Sequence, residues 1–220
     1  MGDVFHRIIR ALIFVPFVTS GRATVIGAER VPRSGPLLMA PNHMSWYDIL
    51  LLVMHCRRLL DFLATYKLYE RPMGRWFYEN MNAIRCDLTK PDARAVRRMR
   101  ARLGQGRCVV IFPEGQLCMY EDSVFTGHRL YSGMARLAMA TQVPVLPAVL
   151  VDTDIYRRFG AWMPVRGSRY GVAFGEPIPP PQAVSPADRM AEAGRFEEKY
   201  RVHMRMLRAE LIQAMQADGA

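Results

Sequence analysis

The chain has 220 residues, 50% of them hydrophobic and 23% charged; that is enough apolar side chain for one well-filled core and too much for a disordered chain. Its formal net charge is +10, from 30 basic against 20 acidic residues, which favours anionic partners: nucleic acid, an anionic membrane surface or a phosphorylated small molecule. The basic residues are nearly all arginine, with lysine only at Lys67, Lys90 and Lys199; the planar guanidinium suits phosphate, though an arginine-rich genome would leave the same excess.

The N-terminal stretch FHRIIRALIFVPFVTSGRA carries basic residues and then an apolar run from Ala11 to Val18. That run is too short to span a bilayer core, which takes about 20 residues. Residues 1–20 are expected to form a monotopic anchor, apolar side in lipid, with His6, Arg7 and Arg10 near the headgroups. A secretory signal lacks its small-residue cleavage site. The remaining alternative is an ordinary helix docked on the core.

Apolar runs then alternate with helical patterns. A short strand at Leu37–Ala40 ends at Pro41, and a helix runs from Ser45 to about His55. A strand is centred on residues 60–64, and residues 69–80 read as a helix with Pro72 in its first turn. MNAIRCD is a short strand. In PDARAVRRMRARLGQG, Asp92 is an N-cap and Gly104 a stop, and Val96, Met99 and Leu103 define a buried stripe. Most of the arginines around that stripe read as a solvated face. RCVVIFPEG is a buried strand ended by Pro113 and Gly115. A helix over 131–141, a strand in VPVLPAVLV, a last strand in YGVAFGEP and a long amphipathic helix over 187–217 complete the chain.

This order predicts one α/β domain over residues 1–220: a mostly parallel central sheet flanked by helices, with the N-terminal membrane-associating helix. The four cysteines, Cys56, Cys86, Cys108 and Cys118, form no C-x-x-C pair. They read as buried thiols of a reducing compartment, and neither zinc nor a disulfide framework fits them. A nucleic-acid binder would show stacking aromatics or reader motifs, and none is present.

In parallel sheets ligands gather at the carboxyl ends of strands. His43 directly follows one strand and Glu114 another. Two readings of His43 and Asp48 are open. Ser-Trp-Tyr-Asp fits a capping box, and an aspartate in a first helical turn is favoured by the helix dipole. Alternatively, Asp48 orients the imidazole, which serves as a general base. The nucleophile would then be a substrate hydroxyl. Glu114-Gly115 is either turn chemistry or a substrate contact, with the Gly115 N–H near a phosphate.

NHMSWYD resembles the N-H-x-x-x-x-D block of the glycerolipid acyltransferase family, the lysophosphatidic acid acyltransferases and their relatives. FPEG matches that family's second hallmark as it stands. VPVLP, residues 143–147, resembles a later block, and Lys67, Pro72 and Gly74 resemble an intervening K…P…G pattern. The resemblance runs from about Pro36 to Val151.

It implies a membrane-associated O-acyltransferase at the cytoplasmic face. The acyl group would pass from acyl-CoA or acyl carrier protein to a lysophospholipid hydroxyl, first the sn-2 hydroxyl of 1-acylglycerol 3-phosphate. His43 would be the base and Asp48 its orienter. Glu114, Gly115, Arg85 and Lys67 would bind substrate. No cofactor, metal or nucleic acid is implied. The partners are a membrane lipid acceptor, the thioester donor and an anionic membrane surface. Two stretches depart from the family. In NAIRCDL, Asn82 stands near the expected glycine and Leu88 where an arginine is common, so Arg85 would supply the phosphate contact from a shifted position. FPEG is followed by Gln116-Leu117-Cys118 instead of Thr-Arg-Ser, and Tyr131-Ser132-Gly133 replaces a lysine-glycine, so His128 or Arg129 would replace lost cations. A different lipid acceptor, such as an amino-acid-containing lipid, and a thioester hydrolase are the alternatives.

Overall fold

The computed structural model describes residues 2–87, 92–118, 123–127, 130–131, 133–157, 168–182, 185 and 187–218. Leu88, Lys90, His128, Arg129 and Ser132, named above, lie outside the described residues. Among the described residues, seven strands form one sheet: β1 (Gly21–Ile26), β2 (Leu37–Pro41), β3 (Leu60–Thr65), β4 (Ile84–Cys86), β5 (Cys108–Val110), β6 (Val145–Val151) and β7 (Ser168–Phe174). Their order is β1-β7-β6-β2-β5-β3-β4. Every neighbouring pair is parallel except β6 and β7. The mostly parallel sheet matches the sequence reading. Strand β1 was not foreseen.

Helices cover both faces. They are α1 (Gly2–Ser20), α2 (Asp48–His55), α3 (Pro72–Asn80), α4 (Ala93–Gly104), α5 (Gly133–Thr141) and α6 (Arg189–Ala217). Strand alternation sends Leu37 and Met39 to one core, under α1, α2 and α3, and Leu38 and Ala40 to the other, under α4, α5 and α6. In both cores each fully buried Leu or Phe contributes about 1.5–3 kcal/mol.

Local chemistry explains the helix ends. Asp92 caps α4, its carboxylate accepting from the backbone N–H groups of Arg94 (2.9 Å) and Ala95 (3.0 Å). The buried stripe of α4 is Ala95, Met99 and Leu103, with Val96 43% exposed. The expected stripe was thus one residue off at its start: a small alanine, not the larger valine, fits against the sheet. Asn82 has φ 59, a left-handed conformation that asparagine tolerates in place of glycine.

Helix α1 corrects a second expectation. His6 is fully buried, not at a headgroup, and its Nε2 accepts from the Leu60 N–H at 3.3 Å. Burial lowers its pKa, so a neutral ring is what the site favours. One side of α1, with Phe5, Ile9, Ile13 and Phe17, packs on the core. Phe17 meets Tyr156 edge-on at 4.8 Å. Arg107 fastens the start of α1, bonding Asp3 at 2.8 Å and the buried Asp61 at 2.6 Å. The opposite side of α1 exposes Val4, Ile8, Leu12 and Val15. No helix among the described residues is long and apolar enough to cross a membrane. All four cysteines are buried thiols.

Candidate active site

Three adjacent parallel strands, β6, β2 and β5, end at the same edge of the sheet. Each is followed by polar residues. After β2 come Asn42 and His43, after β5 comes Glu114, and after β6 comes Thr153.

His43 Nδ1 lies 2.9 Å from Asp48 Oδ2. The same oxygen accepts the backbone N–H groups of Met44 (2.7 Å) and Ser45 (2.8 Å). Its partner oxygen, Oδ1, accepts the hydroxyl of Thr153 at 2.6 Å. Asp48 is fully buried, and with the carboxylate as acceptor Nδ1 carries the ring proton. In the neutral ring Nε2 then keeps its lone pair.

The rest of His43 is equally constrained. Its ring stacks on Phe112, centroids 3.9 Å apart. Its backbone N–H donates to Glu114 Oε2 at 2.7 Å, and its carbonyl accepts the Cys118 N–H at 2.7 Å. The side chain stays 15% exposed, so the ring is held in place yet reachable.

The two readings of NHMSWYD prove compatible. Helix α2 begins at Asp48, whose carboxylate reaches back to the Ser45 N–H as in a capping box. Ser45 does not complete the box, because its Oγ accepts the Tyr47 N–H at 3.3 Å. One carboxylate both starts the helix and fixes the histidine.

Glu114 and Gly115 are placed differently from expectation. Glu114 is fully buried, with Oε1 accepting the Val124 N–H at 2.7 Å and Oε2 accepting that of His43. Both oxygens are committed to the backbone, so the carboxyl joins two loops and does not present itself to an acceptor. Burial pushes its pKa up to about 7, against the opposing N–H bonds of Val124 and His43. The Gly115 N–H donates to Phe112 O at 3.0 Å and is not open to a phosphate. Its φ of 69 and a Tyr131 ring carbon 2.5 Å from where a Cβ would stand require glycine here.

Arg85 and Lys67 are not gathered at His43. Arg85 lies on β4, three strands from β2, and its guanidinium sits 5.7 Å from the centroid of the Tyr69 ring. Lys67 is exposed in the turn after β3.

Sequence reading missed Thr153 and gave Asn42 no role. Asn42 is fully buried and exchanges two hydrogen bonds with the Leu150 backbone, at 3.0 and 2.8 Å. It splices the His43 loop onto β6. The rule that pointed to His43 and Glu114, a polar residue just past a buried strand, also applies to Thr153. Braces come from α6: Tyr200 donates to Ala40 O at 2.9 Å, Arg201 to Val124 O at 3.4 Å, and Arg205 to Phe125 O at 3.2 Å.

The chain is similar to known acyltransferases in sequence and fold. Over 159 residues the chain is 31% identical to a lyso-ornithine lipid O-acyltransferase of Pseudomonas aeruginosa. The match takes in 66% of this chain and 60% of that relative's length. The fold is similar to the crystal structure of the 1-acyl-sn-glycerophosphate acyltransferase PlsC from Thermotoga maritima, with TM-score 0.69 and 22% identity. That likeness covers 93% of this chain and 78% of the other. The acyltransferase family model matches residues 22–151, a span that holds His43, Asp48 and Glu114, and the chain belongs to that family.

Proposed function

We propose that the chain is an O-acyltransferase that moves an acyl group from a thioester, acyl-CoA or acyl carrier protein, to a free hydroxyl of a lysolipid. The observation that carries this reading is the His43 ring, fixed at Nδ1 by Asp48 while its side chain stays partly exposed. Nε2 takes the proton of the acceptor hydroxyl. The oxygen attacks the thioester carbonyl, the C–S bond breaks, and the thiolate leaves and takes up a proton. No acyl-enzyme forms. General-base assistance of this kind contributes about 10²–10⁴-fold.

For the acceptor, we favour a lyso-ornithine lipid over 1-acylglycerol 3-phosphate. The 31% identical relative supports it. So does the position of Arg85, the cation first assigned to the acceptor phosphate, three strands from β2.

The reaction is proposed to occur at a membrane surface. Helix α1 is apolar on the side away from the core, where Leu12 is 64% exposed. Phe5 links it to Trp76 of α3, 5.0 Å away and 57% exposed. A helix apolar on both sides needs a second apolar phase. Arg71, just before α3, and Arg75 on it are exposed, suited to anionic headgroups.

The test is an acceptor screen with labelled acyl-CoA and labelled acyl carrier protein, read by product mass, on wild type and His43→Ala. Acylated lysolipid from wild type and at least about a hundredfold less from His43→Ala is expected. Turnover in His43→Ala near that of wild type refutes the base. Free fatty acid in place of an acylated lipid makes the chain a hydrolase.

A further inference from the structure

The arginines of α4 read from sequence as a solvated face, but three of them line a cleft. Arg94, Arg97 and Arg98 face Arg85 of β4 and Tyr66 across a space of about 720 Å³ at the edge of the sheet. Arg94, Arg97 and Arg98 fall at helical spacing, so their like charges repel one another. None of the four arginines forms an ion pair among the described residues. Asp87 and Asp92 also line the cleft. The Asp92 carboxylate is turned to the backbone N–H groups of Asp87, Arg94 and Ala95. Four cations against two carboxylates leave an excess that a bound anion would relieve.

Sheet order fixes how far this cleft lies from the base. Strands β2, β5, β3 and β4 are consecutive neighbours, so the axes of β2 and β4 are about 14 Å apart. All four are parallel, and the cleft and His43 share the carboxyl edge. In a glycerol phosphate the reacting hydroxyl oxygen is about four bonds, or roughly 5 Å, from phosphorus. In a pantetheine thioester the sulfur is roughly thirteen bonds from the phosphate at the other end of the arm, about 15 Å when extended.

We infer that the Arg85–Arg94–Arg97–Arg98 cleft binds the phosphate at the far end of the donor's pantetheine arm, while the thioester lies at His43. This rests on the transferase reading above in taking the donor to be a pantetheine thioester. Arginine suits the task, because its fork pairs two phosphate oxygens at once. Arg85 thereby serves the donor and not the acceptor, which agrees with its distance from β2.

Calorimetric titration of the purified full chain with free coenzyme A, and in parallel with phosphopantetheinylated carrier protein, reads the cleft without turnover. The pair Arg97→Gln/Arg98→Gln, both positions exposed, is first checked for an unchanged melting temperature. It is expected to bind at least one of the two probes about tenfold more weakly than wild type. Arg100→Gln, on the same helix outside the cleft, keeps wild-type affinity. In turnover, the pair raises the donor KM about tenfold and leaves the acceptor KM in place. An acyl-pantetheine donor, which lacks the phosphate, shows no difference between the pair and wild type. Loss with both natural donors assigns the cleft to the phosphate they share, and loss with one alone assigns it to that donor. Unchanged affinity for both probes, a raised acceptor KM in place of the donor KM, or an equal penalty on the phosphate-free donor overturns the assignment. If wild type binds a probe through Arg97 and Arg98 yet transfers no acyl group, the cleft stands and the transferase reading falls.

Discussion

Thr153 donates its hydroxyl to Asp48 across 2.6 Å, joining the end of β6 to the first turn of α2. The bond occupies the oxygen of Asp48 that His43 does not use. Thr153→Val keeps the shape and removes the donor, leaving a buried acceptor unsatisfied. Such a bond to a charged group is worth about 1.5–3 kcal/mol. The expected outcome is a drop in kcat of about tenfold or more with little change in either KM. Thr153→Ser should restore most of it. Wild-type kcat in Thr153→Val would show that Asp48 needs no second anchor.

Glu114→Gln tests the clamp between two loops. The amide offers one carbonyl oxygen to two backbone N–H groups, so one of the bonds from His43 and Val124 is lost. A stability loss of about 1–3 kcal/mol and a lower kcat are expected. The pH dependence has a definite sign. The folded carboxyl titrates at about 7, above its ordinary 4.5. The folded state therefore holds the proton more tightly, and this group's contribution to stability falls as pH rises from about 4.5 to about 7. The charged neighbours Asp48 and Arg201 act on it in opposite directions. Chemical denaturation at about pH 5 and about pH 8 should show wild type losing more stability with rising pH than Glu114→Gln. Equal losses would place the proton elsewhere.

How far the site was legible follows from these residues. His43 and Glu114 stand out because each breaks an apolar strand with a charged or ionisable group. Thr153 does the same, but a threonine after a buried strand is ordinary in composition, and its partner is distant in sequence. The direction in which Glu114 points is a tertiary fact, set by Val124 in a loop that local pattern does not describe. In the fold, β5 and β6 announced themselves as unbroken apolar runs. Strand β1 did not: much of it is exposed or half-buried at the sheet edge, so it shows no unbroken apolar run. His6 misled because a histidine next to arginines reads as cationic, whereas packing against β3 favours the neutral ring.

His55 carries an acid-side prediction. It sits under α1, its Nε2 3.0 Å from the Tyr170 hydroxyl. Burial, assisted by the charge of Arg10, lowers its pKa to about 4 from 6.5. The unfolded chain thus takes up a proton that the folded chain refuses. The stability this group contributes is complete above about pH 6.5 and is lost as pH falls toward about 4. His55→Gln should flatten that part of the stability curve, measured by denaturant midpoints across the window. An unchanged slope would mean that His55 is not the group responsible.

The outer side of α1 is tested with vesicles. Ile8→Asp and Leu12→Asp replace exposed side chains and should leave the melting temperature in place. Each apolar side chain buried in lipid contributes about 1.5–3 kcal/mol. Each substitution should therefore weaken co-sedimentation with anionic phospholipid vesicles about tenfold. Equal sedimentation of both variants and wild type would remove α1 from the membrane surface.

The bond from Tyr200 to the Ala40 carbonyl has a consequence beyond local packing. Helix α6 and strand β7 lie outside the 22–151 span that marks the family. Yet α6 splints the strand that ends at the base, and through Arg205 and Phe125 it steadies the loop that holds Glu114. A fragment cut to the family span would keep every motif residue and lose the frame that aims them, with β6 exposed as a raw edge. Two enzymes carrying identical motifs can therefore differ in how firmly the same histidine is held, and this chain sets that firmness from its far end.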